Sequence, residues 1–372
     1  MKTYRTLPVA FALITAFVAY ASGLSTRDEI AQSVSQRARA DSVTLEAVPN
    51  SALTSALESI AATYLDAEAT KLAQHSVSNL TNIIDVHAHC VPDWFRAIAP
   101  TAGGNPTPSW NVTAHLDFMA SQGISHSVLA FSSPAYARAY PSRFSFYAVV
   151  PLPYTQAAIA EAVYALDMLG ATGIALYSNF EGRYVGDRNF MPFFEAMNAR
   201  GSGQIMYIHP TTPYMRVNGS LVEANPTTYP TGNIEFYFET ARVLQDLTIT
   251  QTILNFTNIN YIIPHVGGAF PSVADRLLKS FPAIYNRTMD ALQTRFFWDS
   301  AGPTYLHQVG GLLAYDIPTT NLLFGTDFPY APIFTYAPSL LGIETSTFVT
   351  DAERSGIFFR NAQRLFHGRF SF

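Results

Sequence analysis

Two histidines, His87 and His89, stand one residue apart at the end of the run Ile83-Ile84-Asp85-Val86-His87-Ala88-His89. The run is apolar and β-branched, so it predicts a strand, in which positions i and i+2 point to one face. Both imidazoles then reach one metal ion from a single strand end. Further along, Met206-Tyr207-Ile208-His209-Pro210, Ile262-Ile263-Pro264-His265-Val266-Gly267-Gly268 and Phe324-Gly325-Thr326-Asp327-Phe328-Pro329 each end an apolar run on a polar residue. A lone histidine after a strand is usually a hydrogen-bonded structural residue, and a lone aspartate a turn or helix cap. Four histidines and one aspartate, all at strand ends, instead predict a metal site on one rim.

Such residues need a frame that gathers strand ends. Strands are predicted at 83–88, 126–131, 145–150, 173–177, 204–209, 259–265, 296–300 and 321–326, with helices between most of them. One helix is predicted to start with Thr155 as its cap, to carry Ile159, Val163 and Leu166 on one face, and to end at Gly170. Another is predicted from about 233 to 255, with Phe236, Thr240, Val243, Leu244 and Leu247 on one side. Eight strands alternating with helices over roughly 290 residues predict a (β/α)8 TIM barrel of the α/β class, whose active sites lie at the C-terminal strand ends. A doubly wound open sheet is the alternative.

Composition narrows the function classes. Of 372 residues, 48% are hydrophobic, which suits a globular core, and the net charge is -5. Without a basic excess, nucleic acid is set aside as a partner. Aromatic residues reach 13%, which is read first as core packing and second as an aromatic-lined pocket. Cys90 is the only cysteine, so no intrachain disulfide forms, and next to His89 it reads as a small buried apolar residue. His126, at the start of the second strand, reads as structural, and His75, His115, His307 and His367 lie outside the strand-end pattern.

The first 81 residues differ from the rest. Lys2 and Arg5 precede the apolar stretch from Leu7 to Tyr20, and Ala19-Tyr20-Ala21 has the small-x-small pattern of a cleavage site. Residues 1–21 are therefore expected to be a signal peptide cleaved after Ala21, with a secreted or lumenal product and no membrane span after cleavage; an uncleaved anchor is the alternative. Sequons at Asn79, Asn111, Asn218, Asn255 and Asn286 agree with entry into the secretory pathway and with a glycoprotein. Residues 22–81 carry Leu53, Leu57, Ile60 and Tyr64 at helical spacing and predict a helical extension or a removable pro-segment. The barrel is expected over 82–372.

Taken together, His-x-His on the first strand, His209 on the fifth, His265 followed by Gly267-Gly268 and Pro271 on the sixth, and Gly325-Thr326-Asp327-Phe328-Pro329 on the eighth resemble the amidohydrolase superfamily. More narrowly they resemble its branch of aminocarboxymuconate-semialdehyde decarboxylase and aromatic-acid decarboxylases, including the 6-methylsalicylate type. Gly182-Arg183-Tyr184-Val185-Gly186-Asp187 and Asp299-Ser300-Ala301-Gly302 belong to the same likeness, which covers about 82–367. The resemblance implies His87, His89, His209 and Asp327 as metal ligands, His265 as a catalytic histidine beside them, and a homodimer. It also implies Arg276 as a substrate-carboxylate ligand acting across the dimer interface, against the alternative of a surface salt bridge. The implied substrate is a small aromatic acid of the salicylate type, such as 6-methylsalicylate, and the implied setting polyketide secondary metabolism. The leader and the 22–81 extension depart from that pattern.

The lysines limit the metal count independently. Only Lys2, Lys71 and Lys279 occur, none on a predicted barrel strand, which excludes a lysine-bridged binuclear centre and a Schiff base from a barrel lysine. One divalent ion held by imidazoles and a carboxylate fits Zn²⁺, with Mn²⁺ as the alternative. Two chemistries then share these residues. In non-oxidative decarboxylation the ion chelates the carboxylate and an ortho oxygen, Asp327 moves a proton, and His265 stabilises charge or polarises a water. In hydrolysis of a lactone or amide the ion activates water, with Asp327 as base. Loss of CO₂ against gain of water separates them by product mass. A non-catalytic barrel would be expected to show degraded ligands, and none is seen.

Overall fold

The computed structural model describes residues 82–130, 134–302, 306–331 and 346–367, together with 32, 343 and 370. The expected leader and nearly all of the 22–81 extension, including Asn79, lie outside the described residues. Eight parallel strands form one sheet in chain order. They are β1 (Ile83–His89), β2 (Ile124–Ala130), β3 (Phe144–Val149), β4 (Gly173–Tyr177), β5 (Gln204–His209), β6 (Ile259–Ile263), β7 (Phe296–Asp299) and β8 (Leu322–Leu323). Beyond β8 the chain runs on beside β1 and closes the ring. The amide of Val86 donates to the Phe324 carbonyl at 2.9 Å, Asp327 N to His87 O at 2.8 Å, and His89 N to Phe328 O at 2.7 Å. The architecture is the (β/α)8 barrel expected.

The strands bury nearly every residue because parallel barrel strands are covered on both faces. Inside the ring, the fully buried Tyr147 and Tyr207 stack with centroids 4.9 Å apart and planes 2° from parallel. The Tyr147 hydroxyl donates to the Val86 carbonyl at 3.1 Å. These two rings form a floor below the strand ends. Outside it, helices pack apolar faces on the sheet in one continuous core.

Two helices differ from their sequence patterns. The helix Thr155–Met168 buries Ala158, Ala162 and Ala165, while Val163 is exposed and Ile159 and Leu166 are half-buried. Close approach to the barrel selects the small residues, so the face is rotated from the one the large aliphatics suggest. Tyr154, not Thr155, is its N-cap, and the Thr155 hydroxyl donates instead to the Asn189 carbonyl at 2.9 Å. Gly170, at φ +71°, follows its C-terminal end. The stretch predicted as one helix from 233 to 255 is two, Glu235–Ile249 and Thr252–Asn255, broken where Gln251 takes φ +58°. No helix among the described residues is long and apolar enough to cross a membrane.

Candidate metal centre

The C-terminal ends of β1, β5 and the chain after β8 bring His87, His89, His209 and Asp327 together, one ligand atom from each lying within 4.8 Å of all the others. The four residues predicted from sequence as ligands thus share one site. His87 and His89 reach it because alternate strand residues share a face; their Nε2 atoms are 3.1 Å apart. Asp327 reaches it through a left-handed backbone, φ +62°, an uncommon conformation for a non-glycine residue. That conformation is held by the bond from its amide to His87 O and turns the carboxylate inward. Its Oδ1 lies 2.9 Å from His89 Nε2 and 3.4 Å from His87 Nε2, and its Oδ2 lies 3.9 Å from His265 Nε2.

Neighbouring groups set which ring nitrogen carries a proton. Nδ1 of His87 faces the Asp299 carboxylate at 3.0 and 3.3 Å, and Nδ1 of His209 faces the Pro210 carbonyl at 2.6 Å. Carboxylate and carbonyl oxygens only accept here, so both Nδ1 atoms donate and the Nε2 lone pairs point at the cluster. Burial lowers the pKa of His89 and His209 and keeps them neutral, helped by the other imidazoles nearby. For His87 burial works the same way, but the Asp299 and Asp327 carboxylates outweigh it and push its pKa up to about 10. Burial would raise the Asp327 carboxyl, yet contacts with His265, His87 and His89 hold it well below the usual range. The centre therefore favours positive charge between the buried Asp299 carboxylate and the half-buried Asp327 carboxylate. Three imidazoles and one carboxylate oxygen at this spacing suit a single divalent cation.

His265 leaves β6 through a tight turn in which it and Val266 take φ +56° and +52°. Its amide faces Asp299 Oδ1 at 3.3 Å, and Tyr237 stacks on its ring at 5.6 Å. Its Nδ1 is buried without a hydrogen-bond partner. Arg276 is not brought to the cluster: it is exposed on the helix Phe270–Lys279. On the same helix Lys279 is exposed and paired with Asp275 at 3.0 Å. His126 is structural as expected, buried against the Ser142 carbonyl and Ser145 hydroxyl. Cys90 is buried in the apolar core.

Three carboxylates were not predicted as site residues. Asp299 orients His87 and also accepts from the Ala301 amide at 2.9 Å. Asp85 accepts from the amides of His87 and Thr326 at 3.0 and 3.1 Å and from the Thr326 hydroxyl at 2.7 Å, joining β1 to the chain after β8. Burial pushes its pKa up to about 7 against those bonds. Glu239, fully buried, accepts from Ser178 at 3.0 Å, Asn179 at 2.9 Å, Tyr184 at 2.6 Å and Arg242 at 3.1 Å. Ser178 in turn donates its amide to the His209 carbonyl at 2.8 Å. A charged residue inside an apolar strand, as in Ile84-Asp85-Val86, is the signal that marks Asp85.

A closed parallel barrel with imidazoles and a carboxylate at its C-terminal rim defines the class of barrels that hold a metal where their active sites form. The chain belongs to the amidohydrolase family, whose model matches residues 84–368. It is 29% identical over 297 residues to the decarboxylase yanB of Aspergillus niger, covering 68% of this chain and 78% of that protein. It is 26% identical over 290 residues to the 6-methylsalicylic acid decarboxylase acuB of Aspergillus aculeatus, covering 67% and 84%. Among solved structures it superposes on a dihydroxybenzoic acid decarboxylase from Polaromonas sp. JS666 with bound manganese and 2-nitroresorcinol, at TM-score 0.57 and 18% identity, covering 78% of this chain and 98% of that one.

Proposed function

We propose that the protein is a metal-dependent carboxy-lyase that removes CO₂ without oxidation from a small aromatic acid of the salicylate type. The observation that carries this reading is the split placement of Asp327. One oxygen lies among the imidazoles of His87 and His89 and the other faces His265. A carboxylate so divided can hold an ion with one oxygen and handle a proton with the other. The decarboxylase names of the two fungal relatives support the same reaction.

His87, His89, His209 and Asp327 would hold the ion. When bound, it supplies positive charge that fixes the substrate carboxylate and an ortho oxygen and draws electron density from the ring. Loss of CO₂ from an arene needs a proton on the ring carbon, because the bare carbanion is too costly. Asp327 Oδ2 takes the proton of the substrate's ortho hydroxyl and delivers it to the ring carbon; the bond to the carboxylate then breaks, CO₂ leaves as the ring regains aromaticity, and the resulting phenolate takes a proton from solvent. His265 lies beside that oxygen and stabilises its charge as the proton leaves. Asp299 holds His87 in the tautomer that presents Nε2, and the Tyr147–Tyr207 floor keeps the underside of the centre dry.

The proposed ion is Zn²⁺, which suits an imidazole-rich set, with Mn²⁺ as the alternative favoured by the manganese-bound relative. The proposed substrate is 6-methylsalicylate, in polyketide secondary metabolism, after the A. aculeatus relative. We also retain as proposals a homodimer in which Arg276 binds the carboxylate in the partner's site, and secretion after cleavage of residues 1–21. The described sequon residues Asn111, Asn218, Asn255 and Asn286 are all exposed, which suits glycosylation. The test is to incubate purified protein with a panel of hydroxybenzoates while detecting CO₂ and measuring bound metal. CO₂ release that tracks metal content supports the reading; full decarboxylation by metal-free protein, or a product heavier by one water, overturns it.

A further inference from the structure

Two loops meet over the barrel mouth. One follows β1 and forms a hairpin of Thr101–Ala102 and Asn105–Pro106; the other follows β5 and leads into the helix Glu235–Ile249. They touch backbone to backbone. The Gly232 amide donates to the Gly103 carbonyl at 2.7 Å, and Asn105 Nδ2 donates to Asn233 Oδ1 at 3.3 Å. The approach leaves no space for a side chain. A Cβ on Gly103 would lie 2.9 Å from Gly232 Cα and 3.0 Å from the Phe236 ring tip, and one on Gly104 would lie 2.9 Å from Pro230 Cα. Both glycines also take positive φ, +56° and +79°.

The contact passes directly to the metal centre. The hairpin tip rests on Phe236, whose ring stands nearly perpendicular to His209 at 6.1 Å. The next residue, Tyr237, stacks on His265. One short stretch of chain thus lays an aromatic ring against a candidate ligand and another against the candidate catalytic histidine. The glycine contact fixes its height.

We propose that this hairpin is the roof of the substrate chamber and that Phe236, held down by Gly103, is the wall that limits the size of the aromatic acid. The inference rests on the decarboxylase reading for its ligand class. An arene anchored by its carboxylate at the ion cannot extend downward, because the Tyr147–Tyr207 floor fills that side, with Tyr207 only 5.3 Å from His87. It extends toward the mouth, where Phe236 stands beside His209. A wall pinned by backbone contact cannot yield by changing rotamer, so it rejects larger rings more sharply than a free side chain would.

The test uses the full-length, metal-loaded protein. In Phe236→Ala, and in the milder Phe236→Leu, kcat/KM for 3-hydroxy-2-naphthoate relative to salicylate should rise by about tenfold or more with metal content unchanged. In Gly103→Ala the Gly232 amide, no longer held by Gly103, should exchange its hydrogen about tenfold faster or more, while amides in β5 keep their rates. Gly219→Ala is the control, because it too has a positive φ, +81°, but nothing within 4 Å of an added Cβ, and it should change neither readout. An unchanged naphthoate-to-salicylate ratio in both Phe236 variants, or unchanged Gly232 exchange in Gly103→Ala, overturns the proposal. If wild-type protein decarboxylates none of these acids, the decarboxylase reading fails. The calorimetric affinity ratio for the same two acids, wild type against Phe236→Ala, then still decides whether Phe236 is the wall.

Discussion

The Asp299 carboxylate lies 3.0 Å from Nδ1 of His87, both side chains fully buried, one at the end of β7 and the other on β1. This contact decides which nitrogen of His87 offers a lone pair. Asp299→Asn keeps the shape but can satisfy Nδ1 in the other tautomer. Metal affinity should fall by about 10- to 100-fold with the fold intact, as read by metal competition with a chelator and by circular dichroism.

Removing a ligand and removing a proton carrier should give different signatures. His87→Ala loses the imidazole beside both carboxylates and should emerge without metal. Asp327→Asn keeps an oxygen for the ion but cannot carry a proton on it, so it should retain some metal while turnover is abolished. Metal analysis alongside a CO₂ assay separates the two; substantial turnover in Asp327→Asn would contradict its role.

Arg276 is exposed on its helix and does not reach its own subunit's cluster, so its proposed role lies in a neighbouring subunit's site. Mixing Arg276→Ala with Asp327→Asn subunits should therefore restore part of the activity that each lacks. No recovery in a preparation confirmed to contain mixed dimers would remove Arg276 from the substrate site.

Glu239 satisfies four donors from inside the core. Glu239→Ala leaves Ser178 and Tyr184 without their acceptor and Asn179 with only the Thr212 carbonyl, and should cost about 3 kcal/mol of stability in denaturant unfolding. Metal affinity should fall as well, because Ser178 holds the backbone of His209.

Acid should weaken the barrel through His126. Burial, with a smaller contribution from Arg143, pushes its pKa down to about 4, against the opposing Ser142 contact. The unfolded chain takes up this proton near pH 6.5 and the folded chain only near 4. Its contribution is thus full above pH 6.5 and is lost as pH falls from there toward 4. The loss amounts to up to about 3 kcal/mol. His126→Gln should flatten that part of the stability profile, measured by denaturant titration from pH 7 to 4.

The eight strands were legible because each is a short apolar run ended by a turn or polar residue, and β4 and β5 match their predicted bounds. Strand 8 is shorter than its pattern because Phe324–Asp327 leaves regular pairing to meet β1. The imidazoles and Asp327 were legible from residue type at strand ends. Asp299 and Glu239 were not, because their roles depend on partners 212 and about 60 residues away. Spacing along the chain carries no trace of such pairings. The break at Gln251 was hidden for a related reason, since neither Gly nor Pro marks it.

The barrel seam and the metal centre are the same place. Asp85 to Thr326, His87 to Asp327 and His89 to Phe328 join the first strand to the last, and His89 and Asp327, 238 residues apart, face each other across that join. An ion held there acts as a cross-link between the two ends of the barrel. Its loop is far longer than most disulfides close, so it would strip much conformational entropy from the opened chain. In a protein with one cysteine, such an ion would also be the staple, and losing it would loosen the barrel along one line rather than throughout.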